Sequence, residues 1–125
     1  MYSFAASGLQ TPAPSAIGEA DIAITVTTTK CGTTVTVSGE IDFASSAALR
    51  KALMAAVAAH DGGPGAITLD LSRVTFCDCS GLNVLLTVRD VARREHHLLV
   101  IGAAGRPVRR LLEVTGTAGL FAGSP

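Results

Sequence analysis

The sequence predicts an α/β fold in which one domain holds a mixed sheet of about four strands with helices packed against it, in the order β-β-α-β-α-β-α. Two observations predict this fold. Segments whose apolar residues recur at every second position are interspersed with segments whose apolar residues recur at every third or fourth position. A strand-helix-strand succession also implies parallel strands joined by a right-handed crossover. The 125 residues suit a single domain.

The composition is that of a globular chain without an excess of either charge. Apolar residues make up 48% and charged residues 16%, and the formal net charge is zero. A nucleic-acid-binding domain would need a basic excess, and no apolar run approaches the roughly 18 residues of a membrane span. The N-terminal residues also lack the basic start of a secretory signal. We therefore expect a soluble, cytoplasmic protein with a flexible tail at residues 1–20 and one domain at residues 21–125.

The first half of the domain is predicted to be a β-hairpin followed by a helix. In DIAITVTTT (21–29) and TTVTVSG (33–39) apolar and polar residues alternate, which predicts two antiparallel strands joined at the intervening KCG turn. FASSAALRKALMAAVAAH (43–60) is rich in alanine and has no glycine or proline, so we expect a helix. Either Asp42 or Ser45 is suited to cap its start, and the run DGGPG ends it.

The second half is predicted to alternate strands and helices. AITLDL (66–71) has strand spacing, and LNVLLTVRDVARREHH (82–97) has helix spacing. LLVIG (98–102) is apolar throughout, which predicts a strand that is buried on both faces. Pro107 suits the first turn of a last helix at residues 108–116, whose final glycine is a typical helix stop.

The polar stretch DCSG (78–81) stands between an apolar strand and an apolar helix, and it contains the main candidate, Ser80. Three interpretations remain open from the residues alone. The hydroxyl can cap the helix by accepting from the N–H of Leu82 or Asn83. It can be a catalytic nucleophile, although the histidines fall at the far ends of predicted helices and no nucleophile-elbow motif is present. It can be phosphorylated, since a helix N-terminus accommodates an anion.

Asp42 and Asp78 form the second candidate site. Each follows a strand and precedes a helix, so both are expected at the same edge of the sheet, where open α/β sheets place their binding sites. They can act as two helix caps, or they can present an acidic surface to a partner or a magnesium ion. The cap role and the partner role are compatible.

The three cysteines, Cys31, Cys77 and Cys79, are predicted to be reduced thiols. Their number is odd and no export signal precedes them. The Cys-x-Cys spacing matches none of the usual zinc patterns, so we expect no metal and no cofactor. Cys79, next to Ser80, is a further candidate as a reactive thiol.

Two motifs resemble those of STAS domains. Gly39-Glu40-Ile41-Asp42 resembles the Gly-Glu-Leu-Asp element of that family, and LDLSRVTFCDCSGLNVLL resembles its second element, in which an apolar strand leads to Asp-Ser-Ser-Gly-Leu at the start of a helix. The order of the elements agrees as well, over roughly residues 21 to 121. Within the family, the chain resembles the bacterial anti-sigma factor antagonists.

The resemblance implies a regulatory binding protein and not an enzyme. In such proteins an anti-sigma factor that is also a serine kinase sequesters a sigma factor, often one that serves a stress response. The unphosphorylated antagonist binds the kinase and releases the sigma factor, and phosphorylation stops this until a phosphatase acts. By position, the phosphoacceptor here is Ser80. The partner-binding residues that the resemblance implies are Asp42, Asp78, Cys79, Ser80, Gly81 and Asn83.

One departure from the family pattern falls inside the second motif. Cys79 stands where the first serine of the pair is expected, which leaves Ser80 as the only hydroxyl in the stretch. A second hypothesis keeps the fold and changes the role to a phosphorylation-independent STAS module of a transporter or lipid-transport assembly, with Ser80 as a helix cap. A third, a small hydrolase or redox enzyme using Ser80 or Cys79, lacks a base in the sequence pattern.

Overall fold

The predicted order of strands and helices is confirmed. The computed structural model describes residues 22–60 and 65–122, and the predicted tail at residues 1–20 lies outside that part of the chain. The elements are β1 (Ile22–Thr29), β2 (Gly32–Ile41), α1 (Phe43–Ala59), β3 (Ile67–Cys77), α2 (Cys79–Arg94), β4 (Leu99–Ala104), α3 (Arg106–Thr115) and a short 3-10 turn (Ala118–Phe121).

The four strands form one mixed sheet in the order β1-β2-β3-β4. The β1–β2 hairpin is antiparallel, and β3 and β4 are added in parallel. The hairpin turn ends at Gly32, whose φ of 134° lies in the region that favours glycine. The parallel pairs need crossover connections, which α1 and α2 supply. This topology is the predicted one.

β3 is longer than the alternating pattern predicted. It continues from Leu71 to Cys77, and over this part its buried residues are spaced by three: Leu71, Val74 and Cys77. Two register shifts relative to β2 explain the spacing, because β3 contributes an extra residue opposite β2 at each shift. Each extra residue is a β-bulge, which bends the strand and restores the same face to the core. The strand therefore reaches the polar stretch directly.

The helix after β3 is displaced towards the N-terminus of the chain relative to the prediction. α2 begins at Cys79, three residues earlier than expected, because Asp78 and not Ser80 is its N-cap. It ends at Arg94, and His96 beyond it has a positive φ of 63°. A histidine in that conformation stops a helix much as a C-terminal glycine does. α3 ends as predicted, at Gly116 with φ 73°.

One face of the sheet carries the hydrophobic core. α1 and α2 contact one another and pack on this face, and α3 adds Val108 and Leu112. Among the described residues the core side chains are aliphatic apart from Cys77 and Phe121, and Phe121 in the 3-10 turn is 2% exposed. The fully buried strand residues include Val35, Val37, Ile41, Ile67, Leu69 and Leu71.

The opposite face of the sheet is polar and open, so the prediction that β4 is buried on both faces is only partly correct. Leu99 and Val100 are buried, whereas Leu98 is 53% exposed and Gly102 is exposed. Among the described residues β4 is the last strand of the sheet, so only one of its two sides is paired with another strand. On β1 and β2 the open face presents the exposed side chains of Thr25, Thr27 and Thr34.

Candidate functional site

The two acidic candidates lie side by side at the carboxyl ends of neighbouring strands. Ile41 of β2 pairs with Cys77 of β3, and the next backbone N–H, that of Asp78, donates to the carbonyl of Ile41 over 3.2 Å. This contact holds the β2–α1 connection against the β3–α2 connection. Asp42 and Asp78 therefore start two adjacent helices from the same edge of the sheet, as the topology of parallel strands requires.

Asp42 starts α1 through a capping box. Its carboxylate accepts from the N–H of Ser45 at 3.0 Å, and the Ser45 hydroxyl accepts from the N–H of Asp42 at 3.0 Å. The same hydroxyl donates to the carbonyl of Glu40 over 2.8 Å. Both residues offered as caps by the sequence thus act together, satisfying N–H groups that lack helical partners.

Asp78 starts α2, and it leaves Ser80 free of the capping role. One carboxylate oxygen of Asp78 accepts from the N–H of Ser80 at 2.9 Å and of Gly81 at 3.3 Å. Ser80 is the second residue of the helix and is partly exposed. Within the described residues its hydroxyl makes no hydrogen bond. The interpretation of Ser80 as an N-cap is therefore wrong.

Gly81 lets the start of α2 approach the sheet closely. A Cβ at this position would lie 2.5 Å from Cγ2 of Ile41 and 2.8 Å from the Sγ of Cys77. Both distances are shorter than van der Waals contact, so a larger residue would push α2 outward. Gly81 thus sets the height of Ser80 above the sheet, which is a packing role and not a chemical one.

The two cysteines that flank Asp78 have opposite environments. Cys77 is 9% exposed, and burial raises the pKa of its thiol to about 11, with a smaller contribution from the charge of Asp78. Cys79 is an exposed free thiol. A buried neutral thiol is chemically inert, so of the two only Cys79 is open to reagents or to a partner.

A shallow groove of about 520 Å³ lies between α1 and α2, and Ser80 is one of the residues that line it. The lining from α1 follows the spacing i, i+3, i+4, i+7, and so does the lining from α2, which places both sets on facing helix surfaces. The groove residues are Phe43, Ser46, Ala47 and Arg50 on α1, and Ser80, Asn83, Val84 and Thr87 on α2.

Phe43 is the most conspicuous residue that sequence reasoning missed. It follows Asp42 directly, it is 82% exposed, and it lines the groove with Ser80. Arg50 supplies a positive charge two turns further along the same stripe. The i, i+3, i+4, i+7 spacing shows from the sequence that the four lining residues of each helix share one face. Only the contact between α1 and α2 shows that these two faces lie together.

The histidines lie at the other end of the helices from Ser80. His60 is the C-cap of α1, and its Nδ1 is 3.0 Å from the hydroxyl of Thr33. The ring of His97, just after α2, meets the ring of His60 edge-on at 4.7 Å. Along α2, the stretch from Ser80 to the end of the helix at Arg94 is about 21 Å long, and the histidine pair lies at that far end. A general base must lie within hydrogen-bond reach of its nucleophile, so neither of these histidines can activate Ser80.

Within residues 22–60 and 65–122, no three histidine, cysteine or acidic side chains converge in a way that would hold a metal ion. Cys31 lies at the β1–β2 turn, at the opposite end of β2 from the site. The structure thus does not join Cys31 to the Cys77–Cys79 pair. In the same part of the chain, no helix is both long and apolar enough to cross a bilayer.

Comparison with known families assigns the fold and the motifs to one class. The model of the family described as "Mlab, STAS domain" matches residues 24–122, which is most of the chain. This protein belongs to the STAS domain family. The resemblance inferred from the Gly-Glu-Ile-Asp and Asp-Cys-Ser-Gly motifs is thereby confirmed at the level of the family.

Several solved structures are similar to this chain, and two of them are anti-sigma factor antagonists. One is an anti-sigma factor antagonist from Mycobacterium paratuberculosis, with 30% sequence identity, a TM-score of 0.70, and coverage of 86% of this chain and 89% of the other. The second is the anti-sigma factor antagonist SpoIIAA in its unphosphorylated form, with 17% identity, a TM-score of 0.64, and coverage of 78% and 84%. At 17% identity the second shows the shared fold alone. No curated protein sequence matches the chain.

Proposed function

We propose that this protein is an anti-sigma factor antagonist that binds a serine-kinase anti-sigma factor, releases a sigma factor, and is switched off when the kinase phosphorylates Ser80. A phosphatase that acts on phospho-Ser80 restores it. The similarity to the M. paratuberculosis antagonist over most of both chains supports the general role. The single observation that carries the switch is the hydroxyl of Ser80 at the start of α2, which lines the groove and makes no hydrogen bond within residues 22–60 and 65–122.

The local structure supports phosphorylation at Ser80 without loss of the fold. Asp78 already caps α2, so the Ser80 hydroxyl can be modified without breaking a hydrogen bond among the described residues. A phosphoryl group at the second position of a helix also faces unsatisfied N–H groups and the positive end of the helix dipole. We therefore expect the phosphorylated protein to remain folded and to differ mainly at its surface.

The same position supports an effect on binding. A phosphoryl group adds roughly −1.5 to −2 charges, and it would stand between the exposed Cys79 and Asn83, next to the capping carboxylate of Asp78. Glu40 near the end of β2 and Asp42 at the start of α1 are the acidic residues on the adjacent strand-helix connection. A partner that fits the unmodified surface would then bury a new anion beside existing carboxylates, and like charges placed together at an interface cost several kcal/mol.

The partner surface in this proposal comprises the predicted residues Asp42, Asp78, Cys79, Ser80, Gly81 and Asn83, extended by the groove. Its exposed members are Cys79 and Asn83 together with the groove residues Phe43, Ala47, Arg50 and Thr87. Asp42, Asp78 and Gly81 fix the positions of the two helix starts. They therefore hold the partner surface in place and contribute little of the area that a partner would contact. The competing role, a STAS module of a transporter or lipid-transport assembly, uses the same fold without modification at Ser80.

Binding of Ser80 variants to the anti-sigma kinase separates the two roles. We expect Ser80→Ala to keep its affinity for the kinase, because the hydroxyl makes no hydrogen bond among the described residues. We expect Ser80→Asp to lose at least about tenfold in affinity, which corresponds to about 1.4 kcal/mol. Isothermal titration with the purified kinase measures both.

Thr34→Asp is the matched control for an added negative charge. Thr34 is exposed on the open face of the sheet, which is remote from the groove. Its acidic variant is expected to bind the kinase as the wild type does. Equal affinities of the wild type and the Ser80→Asp variant would contradict the proposed switch and favour the phosphorylation-independent module.

A further inference from the structure

β1 is an edge strand that lacks the features that usually prevent edge pairing. Among the described residues no strand lies beyond it in the order β1-β2-β3-β4. An edge strand exposes unpaired backbone N–H and C=O groups, and proteins commonly protect it with charged residues, proline, bulges or a short length. β1 has eight residues without a charge or a proline, and it pairs with β2 in unbroken register. It is therefore a regular template for another strand.

The other edge of the sheet differs. β4 has only six residues and includes Gly102. Its register with β3 carries an irregularity, and both α3 and the 3-10 turn contact it. Short length, irregular pairing and cover by other elements are the features that limit strand addition. Of the two edges, β1 is the one that is suited to accept a strand.

The helix beside β1 is also weakly charged. α1 contacts β1 and β2, and its 17 residues include only two charged side chains, Arg50 and Lys51. By contrast, α2 and α3 carry four charged residues each. Exposed residues of α1 include Ala44, Ala48, Ala58 and Ala59. A second molecule that approached this side would meet small side chains and little charge.

We infer that β1 pairs antiparallel with β1 of a second copy of this chain and so joins two four-stranded sheets into one. The strand is complementary to itself. A two-fold axis at Thr25 sets Ile24 opposite Val26 of the second copy, and Ile22 opposite Thr28. Directly opposed residues of an antiparallel pair share a face, so apolar residues meet apolar or β-branched ones on the core side. No charged residue lies within the paired segment.

This contact would extend the cover over the half-buried Ile22 and Ile24, which pack at the margin of the core. It would also set α1 beside α1 of the second copy on the same side of the joined sheet. The groove with Ser80 lies between α1 and α2, so it stays open, and the inference is independent of the proposed function.

The association is expected to be weak. One pair of edge strands buries less than the roughly 1,200 Å² that marks the low end of stable interfaces. The chain is thus expected to exchange between monomer and dimer with concentration. The formal net charge of zero favours dimer formation, because no overall electrostatic repulsion opposes the contact between two copies.

Sedimentation equilibrium over a concentration series tests the inference on the full chain. We expect the weight-average mass to rise from the monomer mass of 12.7 kDa towards twice that value between about 10 µM and about 1 mM. Thr25→Lys should hold the mass at the monomer value, because it sets two like charges opposite one another at the two-fold axis, which destabilises a strand pair. Thr25 is exposed, so the variant is expected to fold, as circular dichroism would verify.

Thr34→Lys is the matched control, with the same substitution on the same open face but on the interior strand β2. It should associate as the wild type does. A wild-type mass that stays at 12.7 kDa over the whole series would overturn the inference. So would association of Thr25→Lys equal to that of the wild type, or loss of association in Thr34→Lys, which would point to the open face and not to the edge. Concentration-dependent slowing of hydrogen exchange at β1 amides would locate the contact independently.

Discussion

At the scale of single residues, Asp78 links the fold to the candidate site. Its carboxylate accepts two backbone N–H groups at the start of α2, and its own N–H donates to Ile41 at the end of β2. These bonds fix the backbone around Ser80, and within the part of the chain that the structure describes they leave its hydroxyl without a hydrogen bond. The sequence pattern identified both Asp78 and Ser80 as candidates for the N-cap. It could not decide between them, since both residue types cap helices well.

Replacing Asp78 should therefore weaken the fold by a predictable amount. We expect Asp78→Ala to lower the free energy of unfolding by about 1–2 kcal/mol, because two N–H groups lose their acceptor. Asp78→Ser, which keeps an oxygen at the cap, should recover a large part of the loss. Urea denaturation measures both variants, and equal stabilities of Asp78→Ala and the wild type would show that the cap contributes nothing.

Cys77 gives the protein a pH dependence in the alkaline range. Burial raises the pKa of this thiol from 9.0 to about 11, so the unfolded chain releases the proton at a lower pH than the folded chain does. The stabilisation is fully present below pH 9 and is lost as the pH rises towards 11. Over that interval the free energy of unfolding should fall by up to ~1.4 kcal/mol per pH unit.

Urea titrations at a series of pH values measure this loss, and Cys77→Ala is the matched control, because it lacks the thiol while keeping Cys31 and Cys79. The slope of stability against pH above pH 9 should be steeper in the wild type than in the variant. Equal slopes in the two proteins would show that burial does not raise the pKa of the Cys77 thiol. Alkylation of the native protein should accordingly label the exposed Cys31 and Cys79 and spare Cys77 until the chain unfolds.

At the scale of elements, the site is made by two helices that start from adjacent strands. Either helix alone offers a stripe of four residues, and only their contact forms the groove with Phe43 on one side and Ser80 on the other. A large exposed aromatic beside a groove is typical of an anchor for a protein partner. The sequence predicted both helices but not their mutual orientation, which depends on crossover geometry and on the close approach at Gly81.

Phe43 should thus matter for binding and not for stability. Because its side chain is 82% exposed, Phe43→Ala should change the free energy of unfolding by less than about 0.5 kcal/mol. Its affinity for the anti-sigma kinase should fall at least about tenfold. Val114→Ala, which removes a 77% exposed apolar side chain from α3, should leave the affinity unchanged. Equal affinities of the Phe43→Ala variant and the wild type would remove the groove from the proposed partner surface.

The length of β3 shows where periodicity stops being informative. Up to Leu71 the strand alternates, and the sequence predicted it correctly; beyond Leu71 two bulges change the spacing of buried residues from two to three. A pattern with a period near three does not indicate a strand. The bulges arise from pairing with β2, which is a contact between segments that are distant in the sequence.

At the scale of the whole molecule, the fold followed from local signals because they agree with one another. The Val35 and Val37 alternation, the alanine-rich helix and the Gly116 stop each favour the element that forms there. Right-handed crossovers then leave few arrangements for a β-β-α-β-α-β-α chain. Which apolar residues lie on the surface was less predictable, since Leu98 and Phe43 are apolar yet exposed. Hydrophobicity alone does not distinguish a core residue from a binding residue.

Mass spectrometry of the intact protein after incubation with Mg-ATP and the anti-sigma kinases of the source cell tests the central proposal most directly. We predict a single gain of about 80 Da, the mass of one phosphoryl group, mapped to Ser80 by fragmentation and absent in Ser80→Ala. The same experiment would identify the kinase partner. No gain with any of these kinases, or a phosphoryl group at another residue, would contradict the switch.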